Sequence, residues 1–227
     1  MSTRLVPALV AGIALLVTAC SGGGNNATNG GDPASGTSVT AQPGPKHTQF
    51  ADFPGQALVT TEPGLDLGIK VKPVDAVWAP ELAGVPAKGG THYVAVYVAV
   101  TGQLADRGVP KAKIKYLRLR YDNTARKSCD SYSPGKVPQY CFREAYPATD
   151  LKTGVADHTW RDQDWQADST LGDDLDRGET AIGVVGFGIA DSENIDGIQL
   201  CGPTKEDSVD TAGFPCVPVP KPEGSRS

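Results

Sequence analysis

Residues 93–100 read Tyr-Val-Ala-Val-Tyr-Val-Ala-Val, with valine at every second position. Because the side chains of a β-strand alternate between its two faces, the valines share one face and the tyrosines and alanines share the other. Valine and tyrosine both favour strands, and here both faces are apolar. The stretch therefore predicts a central strand of a sheet that is covered on each side by other parts of the chain.

Shorter alternating segments predict further strands. In residues 182–189 one face carries Val185, Phe187 and Ile189, and the other carries Ile182, Val184, Gly186 and Gly188. Glycines inside a strand predict that another part of the chain approaches the backbone closely there. In residues 116–121 the leucines are expected to point inward and Arg118 and Arg120 outward. The predicted strands besides 93–100 lie at residues 68–72, 116–121, 182–189 and 197–201.

No apolar repeat of the helical period persists along the chain, and Pro- and Gly-rich connections separate the predicted strands. The fold class is therefore predicted to be all-β, an antiparallel immunoglobulin-like β-sandwich with long loops. The longest loops are expected at residues 78–91 and 122–170, and loops on a rigid scaffold are where binding residues tend to lie. The basic residues of 111–120 alternate with apolar ones, which is typical of the solvated face of a strand rather than of a nucleic-acid site.

Composition divides the chain into four segments. Residues 1–19 contain an apolar run at 6–17 that is too short for a membrane span and predicts a cleaved signal peptide. Residues 20–48 predict a flexible tether, because they cannot bury enough apolar surface to offset the entropy of ordering. Residues 49–216 predict the folded domain. Residues 217–227 predict a Pro-rich disordered tail, for which a frayed terminus is favoured over a proline-motif ligand.

Residues 16–20 read Leu-Val-Thr-Ala-Cys and resemble a bacterial lipobox, whose cysteine becomes the first residue of the mature protein and carries lipid. The resemblance implies a lipid anchor on Cys20 and a location on the extracytoplasmic face of the cell membrane. The alternative is an ordinary secretory peptide with Cys20 incidental. Removal of residues 1–19 takes away Arg4 and no acid, which changes the net charge from −5 to −6 and argues against nucleic-acid binding.

A second resemblance is carried by Leu175, Gly178-Glu179-Thr180 and Gly183-Val184-Val185-Gly186-Phe187. These residues resemble a turn and strand of the telokin-like, immunoglobulin-like domain of unknown function found in Gram-positive (actinobacterial) lipoproteins. That family is related to secreted immunoglobulin-like antigens of mycobacteria. The strands at 69–71 and 93–100 fit the same order, so the resemblance spans residues 66–202. It implies a β-sandwich displayed outside the cytoplasm, without catalytic residues, although the 122–170 insertion and the four cysteines depart from the simplest members.

Four cysteines remain besides Cys20. An even number outside the cytoplasm predicts two disulfides, for which three pairings are open. Pairing of Cys129 with Cys141 and of Cys201 with Cys216 is favoured, because each pair brackets a loop that contains Pro or Gly. Each bridge would close a loop of roughly 13–16 residues and contribute about 3 kcal/mol in the chain-entropy model. A metal site is disfavoured, since no Cys-x-x-Cys pair occurs and thiols oxidise outside the cytoplasm.

Acidic residues cluster between positions 157 and 179. Their oxygens suit Ca²⁺, but the spacing does not match a Ca²⁺-binding loop, because Gln166 stands at the third ligand position and Ala167 where glycine is needed. A solvated acidic loop is therefore favoured over a low-affinity Ca²⁺ site. Asp157 and His158 could bind a transition metal, but a single imidazole is weak evidence for such a site. We predict no metal and no cofactor. The acids are Asp157, Asp162, Asp164, Asp168, Asp173, Asp174, Asp176 and Glu179.

The three tryptophans, Trp78, Trp160 and Trp165, are interpreted first as packing residues. Exposed tryptophans on loops also stack on sugars or contact protein partners. Because Trp160 and Trp165 are five residues apart, an extended segment would place one inward and present the other outward. These two residues, with Asp162 and Asp164, are the candidate binding residues.

The chain contains no common enzyme signature, such as Gly-x-Ser-x-Gly, His-Glu-x-x-His or a phosphate-binding loop. A Ser/His/Asp triad would have to use His92 or His158. We therefore expect a non-catalytic binding or display module that contacts an envelope protein or glycan. The alternatives are a glycan-processing hydrolase that uses paired carboxylates of residues 157–179, and a carrier of a small ligand or Ca²⁺.

Overall fold

The stretch at 93–100 lies inside a strand of twelve residues, Thr91–Gly102. The computed structural model describes residues 47–61, 67–129, 137–155, 159–204 and 213–226. The predicted signal peptide, Cys20 and the tether up to residue 46 lie outside the described residues, as do Asp157 and His158.

Strands dominate the described residues, together with two 3₁₀ helices at Phe50–Asp52 and Thr159–Asp162. In chain order the strands are β1 (Leu58–Thr60), β2 (Ile69–Ala79), β3 (Glu81–Leu82), β4 (Val85–Pro86), β5 (Thr91–Gly102), β6 (Val109–Ile114), β7 (Arg118–Asp122), β8 (Tyr140–Glu144), β9 (Ala148–Thr149), β10 (Lys152–Thr153), β11 (Ala167–Asp168), β12 (Leu171–Leu175), β13 (Thr180–Ala190), β14 (Gln199–Cys201) and β15 (Cys216–Pro218).

Two sheets carry the architecture. The main sheet has the order β1-β2-β5-β13-β9-β11, with β10 also paired to β13, and the smaller sheet has the order β15-β14-β7-β8. Two further ladders join β12 to β6 and β3 to β4, and each of these strand pairs is antiparallel. The predicted all-β, antiparallel sandwich with long loops is therefore confirmed.

Strand β5 is central and buried on both faces, as its sequence predicts. Its four valines lie in a first core, which also takes Leu119 and Leu200 from the smaller sheet and Phe187 from β13. Its tyrosines and alanines lie in a second core on the opposite face of the main sheet. The second core is completed by side chains from outside the two sheets and from β13: Phe53, Leu82, Trp160, Trp165, Ile182 and Val184.

The glycines of β13 behave differently from each other. A Cβ atom on Gly186 would lie 2.9 Å from a methyl carbon of Leu82 and 3.1 Å from Cδ of Pro147, so the predicted close approach is confirmed there. The same prediction is wrong at Gly188, where no atom of the described chain lies within 4 Å of a Cβ position. Gly188 is partly exposed, because the covering segment does not extend over this end of the strand.

Both predicted disulfides are confirmed. Cys129 bonds to Cys141 in β8, and Cys201 in β14 bonds to Cys216 in β15, with sequence separations of 12 and 15 residues. Cys201 and Cys216 stand directly opposite each other in the β14–β15 ladder.

The predicted disorder of residues 217–227 is wrong for the described part of this tail. Val217 and Val219 are buried in the first core, and Cys216–Pro218 forms β15. Further on, Trp78 N donates to Glu223 O and Glu223 N donates to Ala76 O, both over 2.9 Å. The prolines suggested a polyproline segment, but the valines between them alternate in the same way as strand residues and supply one apolar face.

The two predicted long loops also contain strands. The segment 78–91 holds the β3–β4 hairpin, and the segment 122–170 holds β8, β9, β10 and β11. These strands are two to five residues long. Such short stretches give too few alternations for the pattern to stand out in the sequence.

Candidate functional site

Trp160 and Trp165 are both buried, with 4% and 7% of their surfaces exposed, so the prediction that one of them is presented outward is wrong. The Thr159–Asp162 segment between the β10 and β11 strands forms a 3₁₀ helix rather than the extended chain that the prediction assumed. Both rings therefore turn towards the second face of the main sheet. That face is apolar, and the two tryptophans pack on it and shield its side chains from water.

A β-bulge places Asp75 beside Trp160. The pairing of β2 with β5 shifts between Pro73 and Asp75, so that Asp75 stands opposite Tyr97 on the second face. An extra residue in a strand changes the side to which the following side chain points, and proline within a strand is typical of such a site. Without the bulge, Asp75 would point into the valine core.

Asp75 accepts four hydrogen bonds. Trp160 Nε1 donates to its Oδ2 over 2.8 Å and Ala76 N to its Oδ1 over 2.8 Å. Arg161 binds both oxygens, from Nε and Nη2, each over 2.6 Å. Burial by itself raises the pKa of Asp75, but the hydrogen bonds from Arg161 and Trp160 outweigh it and hold the pKa below its ordinary value.

The same guanidinium reaches the C-terminal segment. Arg161 Nη1 and Nη2 each donate to Oε2 of Glu223 over 3.0 Å. Hydrogen bonding to Asp75 raises the pKa of Arg161 despite its partial burial. Because all these donors stabilise its charged form, the Asp75 carboxylate is a poor proton acceptor, which argues against a role as a general base. The network joins β2, the tryptophan segment and the C-terminal tail, and we interpret it as structural.

The two candidate acids, Asp162 and Asp164, are exposed, and Asp168 is partly exposed. Asp164 accepts a hydrogen bond from Gln166 Nε2 over 3.1 Å, and Asp168 pairs with Lys113 over 3.5 Å. The hydrogen bond from Ser169 N is the main cause that lowers the pKa of Asp168. Asp162 is exposed at the end of the 3₁₀ helix. No group of three or more His, Cys, Asp or Glu residues in the described parts of the chain is arranged to hold a metal ion.

His92 and Asp191 form a pair that has the geometry of the His and Asp of a catalytic triad. Nδ1 of His92 lies 2.6 Å from Oδ1 of Asp191. Among residues whose placement the structure describes, no serine, threonine or cysteine forms a hydrogen bond with the second ring nitrogen. His158, the other histidine that a triad could have used, lies outside the described residues.

A different surface, on the smaller sheet, combines arginine with aromatic side chains. Arg118 and Arg120 project outward from β7, as predicted, while Leu119 and Tyr121 point into the first core. The register places Glu144 opposite Arg118 and Phe142 opposite Arg120. We call the outward residues of β7, β8 and β14 the arginine–aromatic face; they are Arg118, Arg120, Asp122, Tyr140, Phe142, Glu144 and Gln199.

The two arginines of this face have different partners. Arg118 Nη2 pairs with Oε1 of Glu144 over 3.1 Å. Arg120 donates to Oε1 of Gln199 from Nε over 2.8 Å and also from Nη2. The Arg120 guanidinium stacks over the ring of Tyr140, with its Cζ 4.7 Å from the ring centroid. In the described chain Arg120 has no carboxylate partner.

A groove of about 470 Å³ runs beside this face. Arg118, Pro138, Tyr140, Phe142 and Glu144 line it, together with the Cys129–Cys141 bridge. Tyr116, two residues before Arg118, is 52% exposed. The sequence indicates the two arginines as a solvated face but does not indicate β8, whose five residues hold too few alternations for the pattern to stand out.

In comparisons with known proteins, the chain matches no family model, no curated protein and no solved structure. Within the described residues, no helix has the length and hydropathy needed to cross a bilayer.

Proposed function

We propose that the protein is a non-catalytic binding module of immunoglobulin-like type, lipid-anchored at Cys20 on the extracytoplasmic side of the cell membrane, and that the arginine–aromatic face holds an envelope partner. The compartment and the anchor rest on the lipobox resemblance of residues 16–20. The two disulfides support this compartment, because such bonds persist outside the reducing cytoplasm.

The observation that carries the proposal is the state of Arg120. Arg120 is partly buried and its guanidinium is stacked on Tyr140, yet a neutral amide is its hydrogen-bonding partner on the sheet. Elsewhere in the described chain, Arg143 binds both carboxylate oxygens of Glu193 and Arg161 binds both oxygens of Asp75. Arginine and aromatic residues together are enriched at binding hot spots, where the partner completes the polar contacts.

Site-specific photocrosslinking in cells tests the proposal. A photoreactive phenylalanine analogue at Tyr116, beside the face, should give adducts with an envelope component. The same analogue at Leu104, an exposed apolar residue between β5 and β6, serves as the control. Arg120→Ala should abolish the Tyr116 adducts, and Arg107→Ala, which removes an exposed arginine between β5 and β6, should not. Equal adducts at the two positions, or adducts that ignore Arg120→Ala, would show that the face is not the binding site.

A further inference from the structure

The charge of the chain is divided very unevenly. Residues 111–127 contain seven basic residues and one acid, a net charge of +6 in a chain whose total is −5. The basic residues are Lys111, Lys113, Lys115, Arg118, Arg120, Arg126 and Lys127, and the acid is Asp122. A local patch of one sign on a protein of the other sign raises the potential over that patch and attracts oppositely charged groups.

The two ends of this basic segment meet different surroundings. On β6, Lys113 pairs with Asp168, and the neighbouring strand β12 carries Asp173 and Asp174, so acids of the same domain lie beside these lysines. On the arginine–aromatic face, Arg118 of β7 pairs with Glu144 of β8, whose side chain is 82% exposed, and the other acid is Asp122 at the end of β7. An ion pair with so exposed a partner contributes little, so positive potential persists over β7.

We infer that the partner presents an acidic extended segment of a protein to the arginine–aromatic face. This inference rests on the proposed function and names the partner chemistry of that same face. Arg118 and Arg120 are alternate residues of one strand, so their Cα atoms are about 6.6 Å apart. Alternate residues of an extended peptide have the same spacing, and carboxylates at those positions match two guanidinium groups.

The aromatic residues and the remaining charges favour a protein segment over a long anionic polymer. Tyr140 and Phe142 are partly buried and offer apolar contact area, which a polyanion made of charged units leaves unused. Outside residues 111–127 the chain carries a net charge of −11, which repels a polyanion that extends beyond the face. A protein segment can confine its acids to the face and place a neutral or basic residue beside Glu144.

Selection of short peptides tests this inference. A phage-displayed library of random peptides is selected on the immobilised full chain at low salt. Selected peptides should be richer in Asp and Glu than the input library, and their affinity should fall as salt is raised. Arg120→Ala should weaken the binding of a selected peptide about tenfold, as expected for a lost charge-assisted contact. Arg107→Ala is the matched control and should leave the affinity unchanged.

A charge exchange separates a lost contact from a damaged fold. Arg120→Glu should reject the acidic peptide and accept a version in which one acid is replaced by lysine, with an unchanged unfolding transition. Peptides without acid enrichment, or an affinity indifferent to Arg120→Ala and Arg120→Glu, would overturn the inference. If Tyr116 crosslinks an envelope protein while the selection yields no acidic peptides, the acidic segment is wrong and the binding face stands. Crosslinking of Tyr116 to a glycan would likewise show that the acidic segment is wrong and that the binding face stands. Failure of both experiments would show that this face does not bind a partner.

Discussion

Trp160 Nε1 donates a hydrogen bond to Oδ2 of Asp75 over 2.8 Å, across 85 residues of the chain. The contact joins a loop tryptophan to a bulged position of β2 on the second face of the main sheet. It turns a segment that resembled a solvated binding loop into part of the folded core. The arginine–aromatic face is therefore the surface that we propose for a partner.

Replacement of Trp160 should destabilise the fold. Trp160→Phe removes one donor from a buried carboxylate and should lower the free energy of unfolding by about 1–3 kcal/mol. Trp160→Ala also removes core volume and should lower it by about 3–5 kcal/mol. Chemical denaturation measures both values. Trp78→Phe is the control, since it makes the same change in a ring that is partly buried against the other core, and its effect should be smaller. A Trp160→Ala protein with unchanged stability would contradict the packing role.

Stability should depend on the protonation of Asp75 in the acid range. Its pKa is lowered in the folded state, so its contribution is complete above the unfolded-state value of about 3.9 and is lost as the pH falls through the folded-state pKa. The free energy of unfolding of the wild type should therefore exceed that of Asp75→Asn by a constant amount above about pH 5. The difference should shrink below about pH 4. A difference that persists unchanged to about pH 2 would mean that the carboxylate is not the stabilising group.

The C-terminal segment should contribute to stability. Deletion of residues 219–227 removes buried Val219, the Glu223 pairing with β2 and the Arg226 guanidinium, whose Cζ lies 4.4 Å from the centroid of the Trp78 ring. The loss of one buried valine alone should cost about 1.5–3 kcal/mol. Hydrogen exchange gives a second measurement, because the Trp78 amide loses its acceptor, Glu223 O, and should exchange faster. Lys221→Ala, on an exposed residue of the same segment, should change little. An unaltered melting temperature in the deletion would restore the prediction of a frayed tail.

The two disulfides should be complete and local. Peptide mapping without reduction should find Cys129 linked to Cys141 and Cys201 linked to Cys216, with no free thiol among these four. Paired alanine substitution of Cys201 and Cys216 should lower the free energy of unfolding by about 3 kcal/mol, since the bridge closes a loop of 15 residues. Any link between the two pairs would refute this arrangement.

The lipid anchor should depend on one cysteine. Cys20→Ala should leave the precursor unprocessed or release the protein from the membrane fraction, which fractionation and mass spectrometry can show. Ser21→Ala, next to the lipobox, is the matched control and should remain anchored. A processed Cys20→Ala protein that stays in the membrane fraction would exclude lipidation at this position.

The sequence predicted the parts of the molecule that local pattern governs. The alternation at 93–100 predicted a strand that is buried on both sides, because both sets of alternate residues are apolar and each set forms one face of the strand. Residues 116–121 gave the inward leucines and outward arginines for the same reason. The disulfides followed from the even number of cysteines and from the short loops between them. Strands of two residues, such as β9 and β11, were not predicted, because two residues are too few to show an alternating pattern.

The candidate site could not be predicted in the same way. Trp160 and Trp165 stand among acids and look solvated, yet they cover a sheet face formed by residues far away in sequence. Glu223 looked like part of a disordered tail, yet it pairs with Arg161 across 62 residues. Arg120 meets Gln199 across 79 residues, and neither residue alone indicates a binding face.

The sequence by itself therefore determined the all-β class and the central strand, which follow from periodicity. It also favoured, among three open pairings, the local disulfides that the structure shows. Only the tertiary structure decided which polar and aromatic residues are used in packing and which keep part of their surface exposed. Burial depends on what covers a surface, and here the cover comes from distant segments: the tryptophan loop and the C-terminal tail. The same folding that buries Trp160 leaves Arg120 partly exposed and without a carboxylate partner from the described chain.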